Sequence, residues 1–145
     1  MTRYLFVFIF LISCQPASSA VNTPGEMPDS LQHLVEDYER QTMVLSCSWC
    51  RVNHASFLPV ITYVTQHPDT MPFLFDKAES DPLFRFAYIR LLQEVKPGLY
   101  RQLLEANHIS LRPPDPASRE ATDAYYNRVY SMDWEEIKKL SQETE

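Results

Sequence analysis

By type and spacing, the residues of this chain best suited to chemistry are Cys47-Ser48-Trp49-Cys50, with His54 close behind. Three chemistries fit the pattern. Cys47 and Cys50 can close a disulfide, whose loop is so short that it adds only a modest entropic term. The same pair can be redox-active if its first thiol stands at a helix start, where the helix dipole lowers a thiol pKa. Alternatively, Cys47, Cys50 and His54, at i, i+3 and i+7, can share one helical face and bind zinc or copper(I) through thiolate and imidazole. A fourth ligand is not evident beside them, although folding could bring His33, Asp37 or His67 near. Covalent haem is excluded, because Arg51 stands where C-x-x-C-H needs histidine.

The rest of the chain offers little that is reactive. Two glycines, Gly25 and Gly98, are too few for phosphate-cradling loops, dinucleotide fingerprints or tight hairpins. Neither H-E-x-x-H nor G-x-S-x-G is present. A formal net charge of −6 argues against unaided binding to nucleic acid or anionic lipid. His108 reads as a helix-end cap, and Glu135 and Glu136 as a solvated helix start. Tyr125, Tyr126 and Tyr130 with Trp134 form an aromatic cluster, read first as helix packing and second as a partner surface.

The elements that must position these residues are short helices joined by stiff turns. A chain of 145 residues allows one domain, and 45% hydrophobic residues are enough to give it a core. Leu31, Leu34, Val35, Tyr38, Thr42 and Leu45 follow the helical period after N-cap candidates Asp29 and Ser30. That helix continues through the cysteines or breaks near Ser46. Ser56 is the expected cap of the next helix, with Pro59 in its first turn and Phe57, Val60, Ile61 and Val64 inside. Thr70 opens a helix carrying Met71, Leu74 and Phe75. Asp81-Pro82 starts a helix over residues 83–95, with Phe86, Ala87, Ile89 and Leu92 buried and Arg85 and Gln93 more exposed. Lys96-Pro97-Gly98 turns the chain into a partner helix with Leu99, Tyr100, Leu103 and Leu104. Residues 111–117 form an extended connector. Ser118 caps a helix with Ala121, Ala124, Tyr125, Val129 and Tyr130 inward. Asp133 and Glu136 have capping-box spacing before Trp134, Ile137 and Leu140.

A repeat of 29 residues runs through residues 54–106. Phe57 aligns with Phe86, Val60 with Ile89, Tyr63 with Leu92, Pro68 with Pro97, Leu74 with Leu103 and Phe75 with Leu104. The unit is helix, proline turn, helix. It resembles HEAT-type repeats, chiefly where Ala78-Glu79-Ser80-Asp81-Pro82-Leu83 joins the two units. The fold implied is all-α, a small bundle or a short HEAT-like stack of helical hairpins. Thioredoxin-like proteins, by contrast, place C-x-x-C after a strand. Here only Met43-Val44-Leu45 is a strand candidate, and later strands are hard to find.

Residues 1–13 read as a signal peptide, with Arg3 before an unbroken apolar run at 4–12 that is too short to span a bilayer. Leu11-Ile12-Ser13-Cys14 resembles the bacterial lipobox, which implies lipidation of Cys14. Cleavage after Ala20 is the competing reading. Residues 14–28 follow as a flexible tether, 29–141 as the helical domain and 142–145 as a frayed tail.

Together these readings give an envelope lipoprotein, facing the periplasm or the cell surface and anchored to the membrane by lipid. It is expected to act non-enzymatically as a binding or structural module for a protein partner, with no nucleic acid bound. The oxidising compartment and the pairing of the two remaining thiols favour a Cys47–Cys50 disulfide, with no metal or other cofactor. The alternatives are a small thiol–disulfide oxidoreductase using Cys47 and Cys50, or a metal-binding protein using Cys47, Cys50 and His54.

Overall fold

The structure, a computed structural model, describes residues 25–143. Cys14, the export segment 1–13 and most of the 14–28 tether lie outside the described residues. Eight α-helices and two 3-10 turns follow one another without a strand among the described residues, so the fold is all-α. The helices are α1 (Asp29–Thr42), α2 (Ser48–Val52), α3 (Leu58–Gln66), α4 (Met71–Ser80), α5 (Phe84–Val95), α6 (Pro97–Ala106), α7 (Arg119–Tyr130) and α8 (Trp134–Glu143). The 3-10 turns, Ala55–Phe57 and Pro68–Thr70, lead into α3 and α4.

Proline and short polar side chains set the helix boundaries. Prolines stand in the first turns of α3, α4 and α6, where the missing N–H has no partner to lose. Ser118 Oγ accepts from the Ala121 amide at 3.4 Å and caps α7. At the end of α6, His108 adopts φ 53° and the Ile109 amide donates to the Leu104 carbonyl at 2.8 Å. That is a left-handed helix stop, made here by histidine in place of glycine.

Helix α5 is the centre. Phe84, Ala87, Tyr88, Ile89, Leu91 and Leu92 are all buried, and α2, α3, α4, α6 and α7 pack around them. Helix α1 covers α3, and α8 closes over α6. Helices α3 and α4 pack chiefly on α5 rather than on each other, so the first proline-linked pair is held by the central helix. Polar ties then fix the outer helices. Lys77 Nζ meets Glu39 Oε1 at 2.8 Å between α4 and α1, and Lys138 pairs with Glu79 between α8 and α4. Arg85 Nε donates to the Ala78 carbonyl at 3.1 Å, and its guanidinium lies 5.2 Å from the Trp134 ring centre. One cation therefore serves the carbonyl end of α4 and an aromatic face of α8.

Several local expectations shift. Helix α1 ends at Thr42, whose hydroxyl turns back onto the Tyr38 carbonyl at 2.8 Å, well before the cysteines. Ser56 does not cap α3, which starts after Phe57 without a side-chain cap; the cap in this stretch is His54, at the start of the Ala55–Phe57 turn. Helix α5 begins at Phe84, because Asp81 Oδ1 accepts from the Leu83 amide at 2.9 Å and holds that residue in a turn. Ala124 is exposed. Asp133 Oδ1 accepts from the Glu135 amide at 3.1 Å, but Glu136 is drawn away from a capping box by Asn107, whose Nδ2 donates to it at 2.8 Å. The tether's last residues are not all free, since Met27 packs against the core. At the other end α8 runs through Glu143, into the expected tail.

The burial of α5 makes a direct prediction for the whole chain. Leu92 is fully buried and Leu83, the residue just before the helix, is 56% exposed. Leu92→Ala is expected to lower unfolding free energy by about 2–5 kcal/mol. Leu83→Ala is expected to change it by no more than about 0.5 kcal/mol. Urea titration of both variants checks this, and similar losses from the two would contradict the assignment of α5 as core.

Candidate functional site

The cysteine stretch is built by a tight turn into α2. Residues 43–47 leave α1 in a turn and then an irregular path, with Met43 and Val44 strongly exposed at 71% and 83%. No strand precedes the motif, which removes the βαβ setting of a thioredoxin-like site from the described residues. Cys47 is extended at φ −87° and ψ 117° and occupies the N-cap of α2. Its sulfur accepts from the Cys50 amide at 3.3 Å, while the Arg51 amide donates to the Cys47 carbonyl at 3.1 Å. One helical turn thereby brings Cys47 Sγ and Cys50 Sγ to disulfide distance, with Cα atoms 5.1 Å apart. Both cysteines are exposed.

The other side of α2 anchors it. Val52 is buried against the core, and Trp49 stacks on Tyr126 of α7 with ring centres 4.9 Å apart and planes 6° from parallel. The cysteines face a cleft of about 860 Å³, whose far wall is Pro116 and the α7 residues Arg119, Thr122, Asp123 and Asn127. Arg119 Nε stands 3.8 Å from Asp123 Oδ2, an exposed pair that adds little to stability.

His54 does not join the cysteines on one helical face. Helix α2 ends at Val52, and His54 Nδ1 accepts from the Ser56 amide at 3.2 Å and lies 2.8 Å from the Ser56 hydroxyl. An accepting Nδ1 leaves the ring proton on Nε2, and the residue acts as a cap for the Ala55–Phe57 turn. The residues that might have supplied a fourth ligand are engaged elsewhere. His33 Nδ1 faces Glu36 at 3.9 Å, Asp37 accepts from Gln41 at 2.6 Å, and His67 packs on the Tyr63 ring at 4.6 Å. Among the described residues no three His, Cys, Asp or Glu side chains gather as a metal site.

The aromatic cluster divides in two. Tyr126 joins Trp49 and Tyr130, and Tyr130 meets Phe86 edge-on. Trp134 instead packs with Phe75 and Tyr88 on the far side of α5. Burial pushes the Tyr38 phenol up to about 12 and raises those of Tyr100 and Tyr130 well beyond the ordinary range. Burial, and then the neighbouring Tyr126, also raises Tyr125. Tyrosines held this firmly protonated pack helices; they do not exchange protons near neutrality. The Trp49–Tyr126 stack and the α7 wall of the cleft have no local signature, because the partners are far apart in sequence, 77 residues (126 − 49) for the stack.

No family model, curated protein or solved structure matches the chain. The reading of the site therefore rests on its own geometry. That geometry offers two exposed, adjacent sulfurs on a turn that is held from behind.

A spectroscopic prediction follows from the Trp49 stack. Trp134 Nε1 is buried without a hydrogen-bond partner, so Trp134→Phe gives up no such bond and leaves Trp49 as the only indole. In that background, reducing the cysteine pair should raise Trp49 emission, since a nearby disulfide quenches indole fluorescence. Far-UV circular dichroism should stay unchanged, because the loop is too short to stabilise the domain heavily. Loss of helix on reduction would show that the pair holds the fold together.

Proposed function

We propose that this chain is a lipid-anchored protein of the bacterial envelope with no enzymatic role in its partner-holding function, and that its helical domain holds a protein partner. The observation that carries this reading is a groove between α1 and α3, about 450 Å³ and lined by Leu34, Ala55, Leu58, Pro59 and Tyr63 among others. Leu58 is 63% exposed within it. An aliphatic side chain left wet among apolar neighbours favours being covered by another apolar surface. The occupant proposed is a segment of a partner protein with apolar side chains, flanked by basic residues that complement a net charge of −6.

Two further features support the reading. The 29-residue helix–proline–helix repeat, α3–α4 followed by α5–α6, gathers short helices around α5 and leaves the outer face of α3 to line the groove. Anchoring is read from the apolar run that stops at Leu11-Ile12-Ser13-Cys14. Among the described residues no helix is long and apolar enough to cross a membrane, and attachment in this proposal is through lipid on Cys14.

One set of cell experiments tests both parts. A photo-crosslinking amino acid at Thr62, which lines the groove, should yield one discrete protein adduct in the membrane fraction. Leu58→Glu should abolish that adduct without unfolding the chain, and Cys14→Ser should end lipid labelling and release the protein from membranes. An adduct indifferent to Leu58→Glu rejects the groove. Lipid labelling that persists in Cys14→Ser rejects the anchor.

A further inference from the structure

We propose that Cys47 and Cys50 form an exchange-active bridge, attacked at Cys50 Sγ by a thiolate from a cysteine-containing segment of another protein lying in the α2–α7 cleft. This inference is independent of the partner-holding groove, with which the cleft shares no lining residue.

Access comes first. Structural bridges are usually shielded, and exposed ones are the labile or catalytic ones. Both cysteines here are exposed, at the edge of a cleft of about 860 Å³. That volume admits an extended segment, and Ser46, Ser48 and Asn127 offer it hydroxyl and amide groups for backbone hydrogen bonds.

The two sulfurs differ. Cys47 Sγ already accepts a hydrogen bond from the Cys50 amide at 3.3 Å. A hydrogen bond to sulfur strengthens when that sulfur carries negative charge. Cys47 is therefore the better leaving group, and the incoming thiolate is directed to Cys50. The S–S bond between Cys47 and Cys50 breaks as the bond between the incoming sulfur and Cys50 forms. The electron pair of the broken bond departs on Cys47. A second thiolate on the same segment then attacks the incoming sulfur and releases Cys50. The segment is oxidised by two electrons to a disulfide, the bridge is reduced to two thiols, and the two protons of the segment's thiols end on Cys47 and Cys50. The site survives the opening, because Val52 in the core and Trp49 on Tyr126 keep α2 seated.

The test uses the full chain with Cys14→Ser, so that one thiol pair remains, and glutathione as the attacking thiol. The oxidised protein is pulsed, quenched in acid and mapped by mass spectrometry. A peptide of residues 46–51, oxidised in the same way, serves as the reference in which nothing fixes the Cys50 amide on Cys47. The adduct is expected on Cys50, with Cys47 free. Opening is expected to be about tenfold faster than in the peptide, the scale of one hydrogen bond to a departing charge. An adduct on Cys47, an even distribution, or a rate no greater than the peptide's would overturn the proposal.

Discussion

Phe84, Ala87, Tyr88, Ile89, Leu91 and Leu92 take up more than half of the circumference of α5, leaving a narrow wet side at Gln93 and Glu94, so this helix has to be covered on more than one face. Most surface helices need one dry face. This one needs several neighbours at once, and it obtains them from α2, α3, α4, α6 and α7. The many short helices follow from that need. A few long helices would each cover one side, whereas short segments of nine to twelve residues, α3, α4, α6 and α7, three of them started by proline, can turn around a common axis. The polar ties are consequences as well. Arg85 and Lys138 fasten α8 to the carbonyl end of α4 once both helices have been placed by α5 and α6.

The cysteine site depends on the same constraint at one remove. Helix α2 has only five residues and would not persist alone. It persists because Val52 enters the core and because Trp49 lies on Tyr126 of α7, which itself packs on α5. With its back held in this way, the turn can present both sulfurs outward. A reactive group kept on a short, exposed turn can change covalent state without disturbing the core, which is the division of labour expected of functional loops on rigid scaffolds.

Much of the fold is legible in the sequence, and residues such as Leu31, Val35, Val60, Val64, Leu103 and Ile137 show why: apolar side chains recur at helical spacing wherever one face is buried. Periodicity says less about α5, where Tyr88 and Leu91 are buried outside the expected stripe and Phe86, within it, is only half-buried, because neighbours cover more than one face and the solvent side is narrow. Capping was half visible. Ser118 is a conventional cap, but the cap ahead of α3 is His54, at the start of the Ala55–Phe57 turn, and not Ser56, since an imidazole nitrogen can accept an amide hydrogen as well as a hydroxyl does. The cysteine pair is evident from spacing alone. Its cleft is not, because Pro116 and Asn127 reach it only through the tertiary fold. His54 leaves the metal-ligand face for a similar reason: i+7 spacing implies a shared face only if the helix continues, and α2 stops at Val52.

Helix α5 is the most enclosed element of the fold, and native-state hydrogen exchange measures that enclosure most directly. Amides of Ile89, Leu91 and Leu92 should exchange slowest in the chain, through global unfolding alone. Those of α2 and the connector at 111–117 should open through local fluctuations at much lower free energy. If the α5 amides exchange as fast as those of α2, the central helix is not enclosed and the packing described here is wrong.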